Sequence, residues 1–175
     1  QVASALGAAH LVLVAMLADG LRDVREGLGA SYGIDVAYTD ARAGSTLVIR
    51  GALDEDQAGA ALARVLAWVA TVRDHAATEP AAFVRARRHA LRAAVVQRRG
   101  AIATATHLAG LLALGVGPER DRAVQDELAA TTPAQVAALA AIDLAAARMV
   151  VQVRARPPIA DAAFAAVAVT PRHVR

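Results

Sequence analysis

The chain has 175 residues, 57% of them hydrophobic and 3% aromatic, with 19 basic groups against 16 acidic ones and no cysteine. A chain this long and apolar can remove roughly 70% of its unfolded surface from water, which excludes disorder and a fibrous class. Disulfides, thiolate metal sites and Cys nucleophiles are excluded too, while the compartment stays open because exported proteins can also lack Cys. All basic residues other than histidine are Arg, and the formal charge is +3. A composition bias towards Ala and Arg accounts for that charge without a polyanion partner.

Residues 2–18 are uncharged, about the shortest length that spans a bilayer. Leu13, Leu17, Leu21, Val24 and Leu28, however, keep helical spacing through Asp19, Arg22 and Asp23, so one long helix with a buried stripe is expected and no membrane span. No basic stretch precedes the apolar run as in a signal peptide, and the chain opens without Met, so it is read as a fragment or processed piece. Gly27 and Gly29 should end the helix. Tyr32, Ile34, Val36 and Tyr38 then alternate with smaller or polar residues, the period of a half-buried strand. A turn over residues 40–44, about five residues long, leads to a second strand over 46–53 and closes an antiparallel hairpin.

Asp54, Glu55 and Asp56 supply a cap and first-turn charge for a helix reaching Asp74, with Leu62, Val65, Leu66 and Val69 inward. A further helix starts near Thr78 or Glu79. At about 100° per residue its Val84, Leu91, Val95 and Ile102 form one stripe, bordered by Arg85, Arg88, Arg92 and Arg99 on one side and by Arg87 and Arg98 on the other. Arginines beside a buried stripe are expected to snorkel. A nucleic-acid surface ranks lower, since Phe83 is the segment's single aromatic. Pro118 suits the first turn of another helix, and Thr132, Pro133 and Gln135 make a capping box with proline at the first helical position. Met149, Val151 and Val153 alternate with Arg148, Val150, Gln152 and Arg154 and read as a third strand. The fold class expected is α+β: helices packed on one face of a small, mainly antiparallel sheet, as one domain over residues 1–156 with a tail over 157–175, truncated at the N-terminus by at least one strand.

The five histidines, His10, His75, His89, His107 and His173, form neither HExxH nor HxxEH, so no catalytic zinc is expected on this chain. His75 and Glu79 could share a helical turn, but a solvated helix end accounts for them more simply. Gly27, Gly29 and Gly33 have GxGxxxG spacing between a helix and a strand, the reverse of a dinucleotide fingerprint. Neither Ser31 nor Ser45 lies in a nucleophile elbow. What remains is LRDVREGLGASYGI over residues 21–34. Arg25 near a helix end offers a rigid fork of donors, and Tyr32 at a strand start offers a phenol. An Arg paired with Asp23 or Glu26 and a Tyr in the sheet face explain the same residues structurally.

REGLGASYG, with Arg25, Glu26, Gly29 and Tyr32, resembles the signature in the second, non-catalytic half of the pitrilysin or insulinase-type zinc metallopeptidases, which include the mitochondrial processing peptidase. The similarity extends through RGALDEDQAGAAL, the helix pair over residues 81–114 and TTPAQVAALAAIDL leading into RMVVQV, covering roughly residues 1–155. In that family two α+β halves close around an unfolded peptide, and the first half carries HxxEH and zinc. The resemblance implies that Arg25 and Tyr32 bind substrate, donating hydrogen bonds to its carbonyls and to the oxyanion formed in the partner half. Glu26 is unassigned. The expected partners are thus a catalytic HxxEH half and a peptide or unfolded protein, with zinc as cofactor of the partner half and no nucleic acid. Bacterial relatives imply the cell envelope. The main alternative is an inactive scaffold or partner subunit of the same fold that binds peptide or protein without cleavage. Polyanion binding by the Arg-bordered helix ranks last.

Overall fold

A computed structural model describes residues 7–28, 31–41, 44–53, 57–96, 100–113 and 115–152. Helix α1 (Ala8–Leu28) comes first, followed by strands β1 (Ser31–Ala41) and β2 (Gly44–Leu53). Helices α2 (Ala58–His75), α3 (Pro80–Val96), α4 (Ala101–Ala113), α5 (Glu119–Ala130) and α6 (Pro133–Asp143) complete the order, and a 3-10 turn over Ala146–Arg148 closes it. The architecture is α+β, six helices with a two-stranded antiparallel sheet among the described residues.

Helix α1 organises the core. Its stripe of Leu13, Leu17, Leu21 and Val24 is buried as expected, and Val12, Ala15 and Met16 are buried too. Burial on several sides follows from its neighbours, because α2, α3, α5, α6 and β1 all pack on it. That explains the long uncharged run at the start of the chain. No described helix is long and apolar enough to cross a membrane.

The hairpin keeps the predicted alternation. Ile34, Val36, Leu47 and Ile49 pack against the core, with Val36 opposite Ile49. Asp35 and Arg50, also opposite one another, form an exposed ion pair at 3.1 Å. Ala41 pairs with Gly44, so the connection is two residues long, shorter than the five expected. At the other end, Ser31 faces Leu53 and Gly33 faces Ala52, which makes Tyr32 the extra residue of a bulge. Gly33 there has φ +152°. Gly51 must also be glycine, since a Cβ on it would sit 2.7 Å from the Gly33 carbonyl oxygen.

Four expectations change. The acidic triplet 54–56 lies outside the described residues, and α2 begins at Ala58 after Gln57; its buried face contains Val65, Leu66 and Val69, as expected, with Leu62 packed beside Leu66. The helix after Glu79 stops at Val96, and after Gly100, at φ +102°, α4 starts separately. The buried face of α3 is Phe83, Ala86 and Ala90, whereas Val84 and Val95 are 42% and 52% exposed. Small alanine side chains let α3 approach α1 and α5 closely, and that contact outweighs the valine stripe. Finally, Met149–Gln152 form no strand among the described residues. Their alternation survives as packing: Met149 and Val151 touch the core clusters while Val150 is 92% exposed. Residues 153–175, including the expected tail, lie outside the described residues.

Candidate functional site

The two residues singled out from the sequence sit at one end of the α1–β1 pair. Arg25 begins the last turn of α1, in line by helical period with Leu11, Val14 and Ala18. Tyr32 follows a connection of two residues and falls on the bulge of β1. Their side chains lie outside the described residues. Chain direction therefore places both backbones where helix passes into strand, with α1 resting on β1.

Beside this end, α1 and α2 enclose an open groove of about 370 Å³. Gly20, Asp23 and Val24 line it from α1, and Arg64, Ala67, Trp68 and Thr71 from α2. The half-buried Trp68 donates from Nε1 to the Leu17 carbonyl at 3.1 Å, bringing the indole against the α1 backbone. The Thr71 hydroxyl is turned to its own helix, donating to the Ala67 carbonyl at 3.0 Å.

A second cluster, which the sequence reading missed, links three elements. The Tyr38 hydroxyl on β1 donates to Asp143 Oδ2 at the end of α6, at 2.5 Å. His10 of α1 meets the Tyr38 ring edge to face, with centroids 5.0 Å apart and planes at 80°. Burial, reinforced by the hydrogen bond to the Asp143 carboxylate and by its charge, pushes the Tyr38 phenol far above its ordinary value. The phenol keeps its proton and acts as a donor, so the bond pins the hairpin to α6, with His10 of α1 packed on the ring. His10 Nδ1 is buried with no protein partner among the described residues. One signal was present in the sequence: a lone His in an apolar helix and a lone Asp in AAIDLAA each need a polar partner once buried.

Among the described residues no three His, Asp or Glu side chains gather as a metal site. His75 closes α2 and Glu79 precedes α3, both exposed. No family model matches the chain, nor does any curated protein or solved structure.

Proposed function

We propose that the chain is the substrate-positioning, non-catalytic half of a zinc metalloendopeptidase that cleaves peptides or unfolded proteins. The observation that carries this reading is the placement of Arg25 near the end of α1 and Tyr32 at the bulge opening β1, a helix-to-strand junction in which the REGLGASYG signature puts a guanidinium and a phenol seven residues apart. The α+β architecture and the order helix, hairpin, helices support it. Zinc, held by an HxxEH half outside this chain, supplies the activation of water. Arg25 and Tyr32 hold the substrate carbonyl and donate to the oxygen on which negative charge develops. Donors fixed before the reaction cost no reorganisation as that charge appears, and loss of one typically costs roughly 10²–10³-fold in kcat.

The test pairs the chain with an HxxEH half and zinc and compares wild type, Arg25→Ala and Tyr32→Phe on an unfolded peptide. The expected result is a fall in kcat of roughly 10²-fold or more for each, with a smaller change in KM. Wild-type turnover in both variants would overturn the assignment. Peptide binding without cleavage in every paired form would instead make the chain the scaffold subunit of the same fold.

A further inference from the structure

The arginines of α3 divide into two kinds. Arg87 is tied in: its Nη1 donates to the carbonyls of Ala129 and Thr131 at 3.2 and 3.4 Å, and its Cζ lies 5.4 Å from the Phe83 ring centroid. Arg85, Arg88 and Arg92 are exposed, and among the described residues none forms an ion pair or hydrogen bond. By contrast, Arg22, Arg50, Arg73 and Arg120 each pair with a carboxylate. The span Pro80–Val96 contains no acidic residue to neutralise the three.

Helical geometry puts Arg88 and Arg92 opposite the buried Phe83, Ala86 and Ala90, near the centre of the outward face, with Arg85 beside them. Val84 and Val95 share that face at 42% and 52% exposure. Val96 at the end of α3 is 54% exposed, and Ile102, in the first turn of α4, is 85% exposed. Snorkelling over a buried stripe does not account for these arginines, because Val84, Val95 and Ile102 of the stripe they border are exposed and Leu91 is only half-buried against the core.

We infer that the outward face of α3, with Arg85, Arg88 and Arg92 beside exposed Val84 and Val95, is a docking surface for an anionic lipid bilayer. Headgroup phosphates match unpaired guanidinium groups, and the branched apolar side chains enter the headgroup–acyl boundary, so both kinds of side chain gain from one partner. A nucleic-acid backbone would use the charges but leave the valines against phosphate. The aromatic platform that single strands require is missing from this face, since Phe83 is buried. Docking of this kind is peripheral and needs no spanning helix.

The experiment sediments the full chain with vesicles of 70% phosphatidylcholine and 30% phosphatidylglycerol, and with pure phosphatidylcholine, at about 50 mM and 500 mM salt. A basic side chain at an anionic surface contributes about fivefold in partitioning, so the triple variant R85Q/R88Q/R92Q should bind on the order of a hundredfold more weakly. High salt should release the wild type, pure phosphatidylcholine should not retain it, and V84S/V95S should bind more weakly at low salt. The control R64Q/R122Q/R148Q removes the same charge elsewhere and should keep most of the binding. Circular dichroism confirms that each variant is folded. No partitioning into anionic vesicles at low salt, or an equal loss in the control, would overturn the inference. So would binding to duplex DNA that is tighter than to vesicles and abolished by the triple variant, which would make the face a nucleic-acid surface.

Discussion

Trp68 occupies the space that a side chain at residue 20 would fill: a Cβ on Gly20 would lie 2.1 Å from the indole Cε2. Two effects compete in Gly20→Ala. Helix propensity favours alanine by about 1 kcal/mol, while overpacking against an aromatic ring costs about 1–3 kcal/mol. The ring is also held by its hydrogen bond to Leu17, so it cannot swing aside freely. Overpacking should win. The expected outcome is net destabilisation in urea titration, with Gly20→Ala in a Trp68→Leu background neutral or stabilising; stabilisation by Gly20→Ala alone would refute the clash.

The Tyr38–Asp143 bond makes stability depend on alkaline pH. Burial and the carboxylate hold the folded phenol above its ordinary value, so the folded state keeps a proton that the unfolded chain releases above about pH 10. Stability is therefore fully present below that point and declines as pH rises beyond it. The chain has no Lys or Cys, so phenols dominate titration in this range. In a Tyr32→Phe protein, absorbance near 295 nm should rise only as the protein unfolds. A titration centred near pH 10 with native structure retained would contradict the geometry.

At the start of α6, Gln135 N donates to the Thr132 hydroxyl at 3.3 Å, and Thr132 N donates to Gln135 Oε1 at 2.9 Å. Removing the cap in Thr132→Ala should cost about 1 kcal/mol. Because α6 carries Val136 and Ala140 into the core, that loss should appear in global unfolding as a Tm lower by about 2–4 °C, and Thr132→Ser should restore it. An unchanged Tm in Thr132→Ala would mean the cap is dispensable.

Arg87 and Arg85 are two positions apart and should behave differently. Arg87→Ala frees the carbonyls of Ala129 and Thr131 and removes the cation from the Phe83 face, a loss of about 1–2 kcal/mol. Arg85→Ala should stay within about 0.5 kcal/mol of wild type. Chemical denaturation of both variants decides it, and equal effects would contradict the distinction.

Local chemistry made some elements legible. Thr132, Pro133 and Gln135 specify a helix start through backbone donors, and that start is observed. The α1 stripe and the Ile34–Val36 alternation were readable because one face of each must leave water. The buried side of α3 was not, because the choice between a valine stripe and an alanine face depends on how near α1 and α5 can come. Met149 and Val151 have the period of a strand, yet alternate burial does not require a pairing partner. Of the candidate site, the helix-to-strand placement of Arg25 and Tyr32 was visible in REGLGASYG, whereas the Tyr38–Asp143 bond joins residues 105 apart and has no local pattern.

The surplus residue at the mouth of the hairpin has a structural corollary. Position 32 stands outside the strict in-and-out count that ties Ile34, Val36 and Tyr38 to the interior. A bulge position has no pairing register of its own, so the residue there can change independently of the ladder that follows it.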